Sequence, residues 1–203
     1  MTDRSVMSSD HPVIYARGVT PTATVSAPTT RDALLDAGVA VADELGLAGL
    51  SVNRVVAAAG VAKGTFYVHF DDRAAFVDAL HARFHDQVQA AVAAATADTP
   101  LGAERIRLAA EAYLDVALAN RAVKALALEA RSDPSLITSM AARHDRFTAS
   151  AIPSLKAMGW PDPRAAAQLL AAMTAEVALR ELEAGRRLPA SRRALRHFLT
   201  AGG

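Results

Sequence analysis

From residue 30 onward, apolar residues recur at steps of three and four, the spacing of helices that bury one face. Leu34, Gly38, Val41 and Leu45 follow it, with Thr30 as a candidate cap before them and Gly46 as a stop after. Ser51 is suited to cap a short second helix through Ala58, with Gly60 as the breaker, and a third helix is expected over residues 62–70. Asp71 and Asp72 offer caps for a longer fourth helix, along which Phe76, Leu80, Phe84 and Val88 form one stripe. The preceding residues, 1–29, mix Ser, Thr and Pro with no helical period and read as a flexible arm.

Pro100 breaks the fourth pattern. Between Leu101 and Asn120 the apolar residues Ile106, Ala109, Tyr113, Leu114, Ala117 and Leu118 cover so much of the helix that it should be central and largely buried. Ser132-Asp133-Pro134 marks a turn before a helix with Met140, His144 and Phe147 on one face, which Pro153 should kink or end. Asp162-Pro163 is a helix start, an N-cap followed by proline at the first helical position. That helix runs to Gly185, and a last one is expected over residues 191–199. No alternating pattern long enough for a strand and no internal repeat is visible, so the fold class is all-α.

The chain has 203 residues and no cysteine, which excludes disulfides, thiolate metal sites and a cysteine nucleophile. No apolar run matches a signal-peptide core or the ~20 residues of a membrane span, and a cytoplasmic location with no membrane partner is expected. A formal net charge of +1 supplies no global attraction to nucleic acid. Any such function must reside in a local motif.

The segment from Ser51 to Phe70 is that motif. Two short helices around a tight glycine-bearing turn have the layout of a helix-turn-helix, whose first helix braces the second against the major groove. Gly60 suits a turn that needs positive φ. The second helix exposes Lys63, Thr65, Tyr67 and His69, all capable of hydrogen bonding, while Phe66 and Phe70 can face inward.

Gly60-Val61-Ala62-Lys63-Gly64-Thr65-Phe66-Tyr67-Val68-His69-Phe70, followed by Asp71-Asp72-Arg73, resembles the amino-terminal signature of the TetR family of transcriptional regulators. The resemblance is specific over about residues 30–80 and architectural beyond. It implies that Ser51, Tyr67 and His69 contact backbone phosphates, that Lys63, Gly64 and Thr65 face base edges or adjacent phosphates, and that Arg73 meets phosphate. It further implies a homodimer on a palindromic double-stranded DNA operator, paired through the last two long helices and released by a small-molecule effector. On this basis the chain divides into an arm (1–29), a three-helix helix-turn-helix domain (30–78) and a larger helical ligand-binding and dimerisation domain (79–203). Two departures stand out: Ala62 replaces the usual Ser or Thr cap, a loss of ~1 kcal/mol, and Val56 replaces a usual alanine where the two helices cross.

Other constellations are weaker. Asp78, His81 and His85 share a face opposite the apolar stripe, which points to solvent rather than to a metal. The arginine-rich stretch of Arg186, Arg187, Arg192, Arg193 and Arg196 reads as a solvated face. Tyr113, Met140, His144, Phe147, Trp160, Met173 and Glu176 are candidates for a ligand pocket, although Glu176 also sits four residues before Arg180, the spacing of an ordinary ion pair. No catalytic residue, cofactor or metal ligand is assigned. The competing reading is an enzyme or a helical interaction protein that uses the carboxy-terminal cavity without binding DNA. Because Arg54, Lys63 and Arg73 are opposed by Asp71 and Asp72 over residues 51–73, the logarithm of the DNA dissociation constant is expected to rise only shallowly with the logarithm of salt for one subunit, measured by titration at several salt concentrations.

Overall fold

The computed structural model describes residues 29–121 and 134–200, and everything in them that is regular is helical. The first helix, α1 (Thr30–Gly49), opens on a reciprocal cap. The Asp32 N–H donates to Thr29 Oγ1 at 3.2 Å, and the Asp32 carboxylate accepts from the Thr29 N–H at 3.2 Å and from its hydroxyl at 2.6 Å. The cap is therefore Thr29, one residue earlier than expected, because Asp32 completes the three-residue spacing with Thr29. The helical turns break at Gly46, whose φ of 65° lies in the left-handed region.

Two short helices follow, α2 (Val52–Ala59) and α3 (Lys63–His69), and then the long α4 (Arg73–Thr96). Asp72, not Asp71, caps α4 by accepting from the Ala75 N–H at 2.8 Å. Beyond it lie α5 (Ala103–Ala119), α6 (Pro134–Ala149), α7 (Ile152–Ala157), α8 (Pro163–Ala184) and α9 (Pro189–Thr200). Pro153 sits in the first turn of α7, so it separates that helix from α6 where a kink or an end was anticipated. Asp162 caps α8 through the Arg164 and Ala165 N–H groups at 3.1 and 3.0 Å. Of the anticipated arm (1–29), Thr29 caps α1 and residues 1–28 lie outside the described residues, as do Ser132 and Asp133 of the expected turn.

Two apolar cores share α4. Leu34, Leu35, Val55, Phe66, Phe70, Phe76 and Leu80 form the first, between α1, α2, α3 and the start of α4. Phe84 and Val88, one and two turns further along α4, join Ile106, Tyr113, Leu114, Leu170 and Val177 in the second. Each buried Phe or Leu contributes about 1.5–3 kcal/mol by leaving water, so both ends of α4 are firmly held. Gly38 lets α1 and α4 approach closely: a Cβ there would meet the Phe76 ring at 2.5 Å.

The arginine-rich end departs from the solvated face that its composition suggested. Arg192 is only 5 % exposed. Its Nε and Nη2 donate to the two carboxylate oxygens of Glu181 at 2.7 and 2.6 Å, and its Nη1 donates to Glu111 at 2.9 Å and Asp115 at 2.6 Å. Glu181, fully buried, also accepts from the Leu188 N–H at 2.8 Å. The cluster thereby ties α5, α8 and α9 together, with Arg187 and Arg196 paired at its margin to Asp115 and Glu111. Arg186 and Arg193 remain exposed.

Burial pushes the Glu181 carboxyl up, but the Arg192 guanidinium and the Leu188 N–H outweigh it and hold the group below its ordinary value of 4.5. A depressed carboxyl stabilises the fold above that ordinary value, and the stabilisation disappears as pH falls through the folded value. Glu181→Gln should cost about 2 kcal/mol at neutral pH. The gap between variant and wild type should narrow as pH drops below 4.5, measured by urea unfolding across that range.

Candidate nucleic-acid interface

The local chemistry of the motif explains how α3 is presented. Ser51 Oγ accepts from the Arg54 N–H at 3.4 Å and starts α2. Gly60 ends it at φ 67°, where a side chain would be strained, and the Val61 N–H donates back to the Val56 carbonyl at 3.0 Å to close the turn. Ala62 occupies the N-cap of α3 in extended conformation with no side-chain hydrogen bond, so the missing cap inferred from its identity is a feature of the structure.

What positions α3 is its inner face. Phe66 is fully buried and Phe70 is 4 % exposed. The rings of Phe66, Phe70 and Phe76 stand 4.9–5.3 Å apart, centroid to centroid, in tilted and edge-to-face contacts. Arg31 from α1 lies over the Phe70 ring at 5.2 Å and closes the outer side of this cluster. Two arginines brace the α1–α2 connection: Arg54 Nη1 donates to the Gly49 carbonyl at 2.9 Å, and Arg73 Nε donates to the Leu50 carbonyl at 2.7 Å.

Seven residues were singled out for DNA contact. Lys63, Gly64, Tyr67 and Arg73 are exposed, while Ser51, Thr65 and His69 are half-buried. They occupy the start of α2, the outer side of α3 and the start of α4. The Tyr67 ring stands edge-on to Phe66 at 5.4 Å, which restrains an otherwise exposed side chain. Arg73 spends one guanidinium N–H within the fold, so its role includes holding α4 to the α1–α2 connection. Val68 is not among the residues that the family resemblance implies, although its place two residues after buried Phe66 sets it on the outermost line of the helix.

A cavity of about 420 Å³ lies in the second core, walled by α4, α5, α6, α7 and α8. Tyr113, His144 and Phe147 line it, as anticipated. Trp160 and Met173 instead pack in the surrounding core, and Glu176 is exposed and paired with Arg180 at 2.7 Å. The Met140 side chain lies outside the described residues. Unanticipated lining comes from His81 and His85, whose face of α4 was assigned to solvent. That face is covered by α6: Arg143 pairs with Asp78 and donates from Nε to His81 Nδ1 at 3.2 Å. His81 is consequently buried, in edge-to-face contact with His85 at 4.5 Å. Apolar side chains make up most of the walls, but His81, His85, His144 and Arg105 add titratable groups, and Thr148, Ser154 and Thr174 add hydroxyls. Among the described residues no cluster of three or more His, Asp or Glu side chains is arranged to hold a metal ion, and no helix is long and apolar enough to cross a membrane.

Residues 34–80 match the family model described as bacterial regulatory proteins, tetR family. No curated protein matches the chain. Among solved structures, the chain is similar to a TetR-like transcriptional regulator from Rhodococcus sp. RHA1, with 21 % identity over 85 % of this chain and 94 % of that one and a TM-score of 0.70. It is also similar to the multidrug binding protein EbrR complexed with imidazole, at 26 % identity over 87 % and 96 % of the two chains with a TM-score of 0.65. A third is the fatty acid degradation regulator FadR from Bacillus halodurans, at 21 % identity over 84 % and 94 % with a TM-score of 0.70.

Gly64 yields a test. A Cβ built there meets nothing within 4 Å, so the fold has no need of glycine at this exposed helical position. Gly64→Ala should stabilise the protein by about 0.5–1 kcal/mol through helix propensity, a rise of roughly 1–4 °C in Tm. If the exposed side of α3 is the DNA-contacting surface, the same variant should bind DNA more weakly, because the added methyl would hold the double helix away from it. Thermal unfolding and a binding titration check the two signs.

Proposed function

We propose that this chain, which belongs to the TetR family of bacterial regulatory proteins, is a homodimeric repressor that occludes promoters from a palindromic DNA operator and lets go when a small molecule enters its cavity. The observation that carries this reading is α3 itself: Lys63, Gly64 and Tyr67 are exposed on a helix whose other side is locked into an aromatic core. In this reading residues 30–78 form the DNA-binding unit and residues 79–203 the ligand-binding and dimerisation unit. The protein works in the cytoplasm, where its operator is.

The dimer is supported by apolar side chains left outward on the helices assigned to pairing, Leu169 of α8 at 66 % exposure and Phe198 of α9 at 64 %. A twofold axis through α8 and α9 would cover both and set two α3 helices about one DNA turn apart, ~34 Å. The effector is mainly apolar with polar groups at its margin, which the mixed cavity walls support, as do similar structures described as a multidrug binding protein and a fatty acid degradation regulator. Its signal passes through α4. His81, Phe84 and His85 of that helix line the cavity, while Arg73 at its start holds the α1–α2 connection. A shift of α4 on ligand binding thus alters where α3 stands.

The competing reading, an enzyme or interaction protein using the cavity alone, predicts that changes on α3 are silent. Gel retardation with DNA flanking the chain's own gene separates the two. Wild type should retard it and Tyr67→Ala should not, with the fold unchanged by circular dichroism. Equal retardation by both proteins, or by neither, would contradict the proposal.

A further inference from the structure

Val68 is 79 % exposed, more than any other large apolar side chain among the described residues. At about 100° per residue it stands roughly 200° around α3 from buried Phe66, on the line that projects furthest from the core. Tyr67 and His69 flank it, each about 100° to one side. If those two meet the phosphates that border the groove, as the proposed function has it, Val68 points between them at the groove floor. Gly64, one turn earlier on the same line, adds no side chain and has nothing within 4 Å of where its Cβ would be, so the helix can descend until Val68 touches base edges.

An isopropyl group neither donates nor accepts a hydrogen bond, and only one base offers an apolar group on the major-groove floor. Thymine carries a C5-methyl there, whereas adenine, guanine and cytosine present donors and acceptors that an aliphatic contact would leave unsatisfied. We propose that Val68 is a specificity-determining residue that packs against the C5-methyl of one thymine in each operator half-site. The inference rests on the DNA-reading function proposed above and adds to it what one position reads.

The test separates the two claims. Duplexes are selected by wild-type protein from synthetic random DNA, in which thymine is the only source of a C5-methyl. Each thymine of the selected site is then replaced in turn by deoxyuridine, which lacks only the methyl. At one thymine per half-site, wild-type affinity should fall about fourfold, the worth of one buried methyl-sized group. Val68→Ala removes no buried contact from the core, so its thermal unfolding should match wild type. It should bind the selected duplex about fourfold more weakly per half-site and be indifferent to deoxyuridine at that thymine alone. Wild-type binding unaffected by every such replacement, or Val68→Ala as sensitive as wild type, overturns the inference while leaving the DNA-binding reading intact. Wild type that selects no sequence overturns both.

Discussion

The placing of α3 depends on three clustered phenylalanines. Phe66, Phe70 and Phe76 lie within 5.3 Å of one another, centroid to centroid, and two of them belong to the seven-residue helix and its cap. A helix so short has no stability of its own in water, since nucleation fixes several residues for each hydrogen bond gained. It also lacks a side-chain cap, because Ala62 provides none. The aromatic cluster replaces what local propensity does not supply, and in doing so fixes which side of α3 faces outward. The outward residues are then determined by geometry: Gly64 and Val68 on the crest, Tyr67 and Thr65 beside it.

The same constraint explains how a distant cavity can matter to this helix. Phe76 and Leu80 anchor α4 in the first core, and Phe84 and Val88 anchor it in the second. A helix is stiff along its axis, so displacement where His81 and His85 meet the cavity is carried to Asp72 and Arg73 at its start. Arg143 adds a lateral restraint through Asp78 and His81, binding α6 to the middle of α4. At the far end the Arg192 cluster makes α5, α8 and α9 one block. In the proposed mechanism α4, with the helices it carries, is the part that shifts against that block.

Much of this was legible in the sequence where local chemistry decides the outcome. Gly60 and Gly185 read as helix ends because positive φ favours glycine, and both take φ near 65°. Asp162-Pro163 read as a start because an Asx cap and a preset φ act within one turn. What the sequence concealed depends on elements far apart in the chain. The face carrying His81 and His85 looked solvated because nothing in α4 announces that α6 crosses it. Arg192 sits in a basic run, yet its partners are 11, 77 and 81 residues away. Glu176 and Val68 mark the opposite limit: an i, i+4 spacing did identify the Arg180 pair, and a helical wheel drawn from Phe66 would have exposed Val68.

The central claim is that α3, duplicated by a twofold axis, enters the major groove. Methylation-protection footprinting on the DNA flanking the gene tests it directly, since dimethyl sulfate reports guanine N7 in the major groove and adenine N3 in the minor groove. The account predicts two patches of guanine N7 protection on one face of the duplex, centred about ten base pairs apart. Protection confined to adenine N3, or a single unpaired patch, would contradict it.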